Sequence, residues 1–221
     1  MLSNKIFEFL SELKENNNKE WFDENRKRYE ACRKEYIAFT TSLIEHIALF
    51  DPEITGTDAK KTLFRINRDI RFSKDKTPYK TNFGASISRF GKKSSYPGYY
   101  MHVEPDNCFI AMGAYHPEAD KLATIRQEID YNGKELKAIL SNKTFKKTLG
   151  DIQGESLKTS PKGYDIENEH IDLLRMKSFY VWTQFPSTEL TQKDAAAKVA
   201  EMFKVGLPFN RFIQRAYHET E

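Results

Sequence analysis

The sequence predicts an α+β fold: one mostly antiparallel sheet of about four to six strands from the middle of the chain, covered by helices from both ends. Three observations point there. Apolar residues recur at helical spacing near both termini, over 4–50 and again beyond 187. Period-two alternation marks 83–90, 99–115 and 178–185. At 221 residues, 39% of them hydrophobic and 13% aromatic, the chain is long enough to bury a sizeable core. The expected layout is a single domain over 1–221, with a helical part over 1–50 packed on an α+β core from 60 to 221.

Ser3 is placed to cap a first helix with Ile6, Phe7, Leu10 and Leu13 on one face, and the asparagines at 16–18 stop it. Asn18 then caps a second helix reaching Phe50. Its stripe is Phe22, Tyr29, Tyr36 and Leu43, with Cys32, Phe39 and Ile47 offset. The stripe covers only about four heptads and is rich in aromatics, which favours packing on a core over a coiled coil. Asp51-Pro52 ends it, and ITGTDAKK reads as a loop. Trp21 and Trp182 read as core anchors.

Past residue 82, a strand over 83–90 leads through GKKSSYPG into a hairpin of 99–104 and 108–115, with Pro105-Asp106 in its turn. That register puts Tyr100, His102 and Glu104 on one face, across from Phe109, Ala111 and Gly113. Small Ala111 and Gly113 leave room beside His102, for a packed helix or for a ligand. His116-Pro117 opens a helix with Leu122, Ile125 and Ile129 inward, and a second short helix follows Gly133. Residues 148–170 form a long Gly/Ser/Pro-rich loop of the kind that serves as a lid or binding loop. A short helix at 171–174, the 178–185 strand and two final helices complete the chain. The first of these is capped by Ser187 or Thr188, and Gly206 and Pro208 part it from the second.

The chemistry concentrates in residues 64–84, FRINRDIRFSKDKTPYKTNFG. Arg65, Arg68, Arg71, Lys74, Lys76 and Lys80 stand there against Asp69 and Asp75, in a chain of net charge +3. A guanidinium matches carboxylate or phosphate oxygens two at a time, so arginines at spacing three among Ile66, Ile70 and Phe72 are a candidate anion surface. A strand through about Asn67 followed by an irregular loop fits the β-branched residues and the Thr77-Pro78 step. The plain alternative is a solvated loop whose acids pair with its arginines.

FRINRDIRFSKDKTPYK resembles the signature of the domain-of-unknown-function 2461 family. NNNKEWFDENRKRYE, YYMHVEP, GAYHPEADKLATIRQEI, SPKGYD and LLRMKSF extend the resemblance over nearly the whole chain. The positions matching the signature are Arg65, Arg68, Asp69, Arg71, Phe72, Lys76, Pro78, Tyr79 and Lys80. The resemblance carries no activity, substrate or cofactor over to this chain.

Composition excludes several classes. With 30% charged residues the chain reads as soluble and globular, and the pI near 8.6 is too mild for a dedicated nucleic-acid domain. Cys32 and Cys108 make neither a disulfide framework nor a zinc pair. No apolar run of about 18 residues and no leader pattern occurs, so no membrane is expected and the cytoplasm is the expected compartment. Nucleotide-loop, zincin and hydrolase templates are absent, and no cofactor is expected.

The candidate ligand-binding residues are Arg65, Arg68, Arg71, Lys76, Tyr79 and Lys80, with Lys162 and Lys177 as outlying additions. Asp69 and His102 are the catalytic candidates. His102, Glu104 and His116 lack a third ligand close in sequence, so no metal site is expected. Three functions remain. The first is an enzyme or binder for a phosphate- or carboxylate-bearing small molecule, with Tyr79 or His102 orienting it. The second is a nucleic-acid binder stacking on Tyr79, Tyr96, Tyr99 and Tyr100, against which the balanced charge argues. The third is a structural or partner-binding module with an internal Arg/Asp network. Six local cations against two local acids favour the first.

Overall fold

The computed structural model describes residues 1–218. Four antiparallel strands form a meander: β1 (Phe83–Ile87), β2 (Gly98–Val103), β3 (Cys108–Ala114) and β4 (Phe179–Phe185), paired in that order. Eight α-helices accompany them among the described residues. They are α1 (Asn4–Glu15), α2 (Lys19–Glu24), α3 (Arg26–Ala48), α4 (Ala59–Thr62), α5 (Ala119–Ser141), α6 (Lys143–Leu149), α7 (Ile171–Leu174) and α8 (Ala195–His218). The fold is therefore α+β, with helices from both ends of the chain.

Alternation along the strands separates two faces. One carries Phe83, Ala85 and Ile87 of β1, Tyr99, Met101 and Val103 of β2, Ile110 and Met112 of β3, and Phe179 and Val181 of β4, all buried. Helices α3 and α8 cover it. The Tyr36 hydroxyl of α3 donates to the Met101 carbonyl at 3.2 Å, and the Tyr99 ring meets Phe203 of α8 edge-on at 5.0 Å. Gly206 lies against the Met112 side chain, where a Cβ would collide with its sulfur. The other face, with Tyr100, His102, Phe109, Ala111 and Trp182, is lined only by strand and loop residues. Among the described residues no helix fills the room beside Ala111, whereas the missing side-chain position of Gly113 is backed by Phe209 of α8. Trp182 is 40% exposed there and is not a core anchor, while Trp21 packs on Phe9 at 5.9 Å.

Several expected elements come out differently, each for a local reason. The second helix breaks at Asn25, whose side chain donates to the Trp21 carbonyl at 2.9 Å and closes α2 before α3 begins. Ser3 precedes α1, but its hydroxyl donates to Glu35 at 2.8 Å instead of capping the helix. Residues 59–61, the end of the expected ITGTDAKK loop, instead lie in α4, which Asp58 caps through the Lys60 N–H at 2.9 Å. The two helices expected on either side of Gly133 are both present, run together as the two arms of α5 across a kink at Asn132. Gly133 faces the His170 ring at a distance that admits no Cβ.

At the C-terminal end a single α8 replaces the two expected helices and begins at Ala195, well beyond Ser187. An interior proline costs a helix about 3 kcal/mol. Phe203, Phe209, Phe212 and Ile213 are each 1% exposed or less, and burying such side chains contributes about 1.5–3 kcal/mol apiece. Burial outweighs the Pro208 defect. The first part of the 148–170 loop is tied down. Its Gln153 N–H donates to the Tyr180 carbonyl at 2.7 Å, and Lys177 N–H donates back to Glu155 at 2.8 Å. It therefore runs beside β4 and shields an otherwise open sheet edge.

Candidate functional site

The basic stretch does not form a regular strand. Its backbone folds back on itself through Arg68 N–H to the Pro78 carbonyl at 2.9 Å and Lys80 N–H to the Ile66 carbonyl at 2.8 Å. The intervening loop supplies its own partners. Arg68 donates to Asp75 at 2.5 Å and to the Thr77 carbonyl at 3.1 Å, and it also reaches the Thr77 hydroxyl. Arg71 clasps Asp69 through Nε and Nη2 at 2.9 and 2.7 Å, and Lys76 caps the Ile70 carbonyl at 2.9 Å. The Thr77 N–H and hydroxyl, followed by Arg68, hold the Asp75 carboxyl well below its ordinary range, at about 2. Arg71 likewise lowers Asp69. Thus Arg68, Arg71, Lys76 and Asp69 are engaged within the loop and border neither of the two concavities described below.

Arg65 goes elsewhere. It lines a hollow of about 290 Å³ between the start of the basic stretch and the N-terminal helices. Two contacts create this hollow. The Asn17 side chain bonds both the N–H and the carbonyl of Tyr79 at 3.0 Å, and the Tyr79 ring stacks on Phe22 at 4.0 Å. Those contacts bring Arg26, Tyr29 and Arg33, one face of the α2–α3 segment, opposite Arg65, with Lys60 and Lys92 completing the rim. Five cations and no carboxylate line it. Arg26 has a partner in Asp23 at 2.5 Å, and Lys92 donates to the Leu63 carbonyl. The positive field reaches Lys80, whose ammonium is lowered first by burial and then by Arg65 and Lys92.

A second, larger concavity of about 880 Å³ occupies the open face of the sheet. Ser86 and Ala111, which flank Tyr100 in the register, and the paired Gly98 and Gly113 keep its floor low. Phe64, Phe109, Tyr180 and Trp182 supply aromatic walls, and Lys80 is its lining cation. Gly84 matters here. The Tyr100 oxygen lies 2.8 Å from the point a Gly84 Cβ would occupy, so only glycine lets that ring lie across β1.

In this cleft Tyr100, His102 and Glu104 form a hydrogen-bonded chain. Glu104 Oε2 lies 3.2 Å from His102 Nε2, and the Tyr100 oxygen lies 3.1 Å from Nδ1. Ionised Glu104 accepts from Nε2–H, which leaves Nδ1 as the acceptor for the Tyr100 hydroxyl. Asn82 is a second donor to Nδ1 at 3.4 Å, and Phe109 stacks on the imidazole at 4.4 Å. Burial lowers the His102 pKa, with Glu104 opposing, so the ring is neutral at pH 7. Burial also presses on Glu104, but hydrogen bonds from Thr81, Asn107 and His102 outweigh it and keep the carboxyl below its ordinary value. Tyr100 is pushed up to about 12 by burial and by Glu104.

Of the residues expected to bind a ligand, Arg65 and Tyr79 reach the hollow and Lys80 reaches the cleft. His102 sits in the cleft. His116, at the end of β3, bonds Ser178 and does not join the His102 cluster. Lys177 pairs with Glu155 at 3.1 Å. Sequence reasoning missed Arg26, Arg33, Lys60 and Lys92. A signal existed for two of them, since Phe22, Arg26, Tyr29 and Arg33 follow one helical face. Lys60 and Lys92 carried none.

A family model described as a conserved hypothetical protein (DUF2461) matches residues 5–212, and the chain belongs to that family. No curated protein and no solved structure matches the chain.

Proposed function

We propose that this member of the family binds a phosphate- or carboxylate-bearing small molecule in the Arg65 hollow. One observation carries the reading: Arg26, Arg33, Lys60, Arg65 and Lys92 line a single concavity that holds no acid, and among the described residues neither the Arg65 nor the Lys60 side chain has a hydrogen-bond or ion-pair partner. Two like charges about 8 Å apart near a protein surface repel by about 2 kcal/mol, so an anion seated among them relieves a standing cost. The aromatic floor of Phe22, Tyr29 and Tyr79 supports this by restricting solvent on one side. For the 68–77 loop, the pairs Arg68–Asp75 and Arg71–Asp69 favour a different reading, an internal clasp that shapes the loop.

Thermal denaturation with phosphate, nucleotides and sugar phosphates tests this. A ligand at about one hundred times its Kd adds about 2.7 kcal/mol to stability. The wild-type midpoint should rise and Arg65→Ala should abolish the rise. Arg68→Ala should lower the baseline and keep the response. An equal response in the wild type and Arg65→Ala would remove the hollow from consideration.

A further inference from the structure

We propose that the open-face cleft is a proton-transfer site for a planar, ring-bearing molecule with an acidic hydroxyl. Tyr100 meets the reacting oxygen, and Tyr100–His102–Glu104 is the path its proton takes. This concavity shares only the Phe64 side chain with the Arg65 hollow and none of its cations, so either reading can fail alone.

The geometry supplies the parts a proton path needs. A group that meets substrate stands next to a base, and the base is oriented by a third group. Tyr100, His102 and Glu104 fill those positions at 3.1 and 3.2 Å. Glu104 is itself fixed by Thr81 at 2.6 Å and Asn107 at 3.0 Å, and Phe109 stacking at 4.4 Å sets the plane of the imidazole. The chain's acceptor end is Glu104, and its donor end is a tyrosine oxygen that lines the cleft, where a ligand oxygen can reach it.

The walls name the ligand class. Phe64 and Trp182 are 41% and 40% exposed, an unusual outlay of aromatic surface, and with Phe109 they bound a space within the range of small-molecule sites. Aromatic faces prefer planar rings. Lys80, whose ammonium lies 5.3 Å from the Phe64 centroid, is the cation among the lining residues and favours a ligand that becomes anionic.

In the step, the ligand's O–H proton moves to the Tyr100 oxygen while the phenolic proton moves to His102 Nδ1. The products are a ligand oxyanion and an imidazolium whose Nε2–H stays on Glu104. Charge is conserved, no electrons are exchanged, and the reverse step returns the proton. The ionisable groups around the path are Tyr100 on β2 and Glu104 just after it, Lys80 before β1, and, from the covered side, Tyr36 of α3 and Cys108 of β3.

p-Nitrophenol tests this directly, because its phenolate is coloured and its phenol is not. Bound to the wild type, its apparent pKa should fall by about one unit, which is about 1.4 kcal/mol. Tyr100→Phe should bind the neutral phenol with similar affinity, bind the phenolate about tenfold more weakly, and leave the ligand pKa at the free value. His102→Gln should do the same and keeps the test available should Tyr100→Phe not fold. Trp182→Ala should weaken binding about tenfold, the scale of a lost aromatic contact. Arg65→Ala should change nothing. Absence of saturable binding, binding without a pKa shift, or an unchanged shift in both path variants would overturn the proposal.

Discussion

Arg211 of α8 meets the carboxylate of Asp51 at 2.5 Å across 160 positions of the chain, and the Tyr99 hydroxyl of β2 closes on the other oxygen at 2.6 Å. The carboxylate is fully buried. This contact joins the end of the N-terminal helical part, the sheet and the last helix at one point, and it holds the covered face in register. Glu53 adds a further bond to Arg211 at 2.9 Å.

Asp51→Ala leaves the buried Tyr99 hydroxyl without its acceptor and Arg211 without its closest partner. Arg211 is 36% exposed and keeps Glu53, so the loss is set by the unsatisfied Tyr99 hydroxyl, about 1–3 kcal/mol. Urea unfolding should show a loss of that order with an unchanged slope, and Asp51→Asn, which keeps the shape and one acceptor, should lose less. A loss under about 1 kcal/mol for Asp51→Ala would mean the contact contributes little.

His102 should titrate below the ordinary histidine value, because burial opposes its charge more than Glu104 favours it. Glu104→Gln removes the favourable part, so the His102 pKa should fall further, read by NMR of the ring protons. Linkage gives the sign for stability. The folded state binds this proton less tightly than the unfolded chain, so the contribution is intact above about pH 6.5 and is lost as the pH falls from there through the lower folded-state value. A higher His102 pKa in Glu104→Gln would contradict the assigned hydrogen-bond chain.

Cys32 and Cys108 are both buried, and burial pushes each thiol up to about 11. The thiolate is the reactive form, so neither should react with a thiol reagent at neutral pH in the native protein, and both should react in denaturant. Rapid labelling of the folded protein would show that one of the two sites opens.

Much of the site was legible in residues 64–84 and in the hairpin. The Tyr100, His102, Glu104 alternation and the small Ala111 and Gly113 across from it predicted a roomy face, since strand geometry obliges alternate residues to share a side. The arginine cluster was legible as a charge excess but not as a shape. Asp69 and Asp75 reach Arg71 and Arg68 through a tight loop whose path depends on Thr77 and Pro78, while Arg65, only three residues before Arg68, turns toward helices more than thirty residues earlier.

Local pattern alone determined the α+β class, the antiparallel hairpin, the terminal helices and the buried cysteines, because each depends on the periodicity or type of neighbouring residues. Tertiary structure decided which sheet face stays open and where the cations converge. Both faces of β2–β4 carry aromatics, so periodicity could not distinguish them. The choice rests with α3 and α8, which bury Tyr99, Met101 and Met112 and leave Tyr100, His102 and Trp182 uncovered. Lys60 and Lys92 join Arg65 only after Asn17 and Phe22 have pinned Tyr79, a long-range contact that spacing along the chain does not encode.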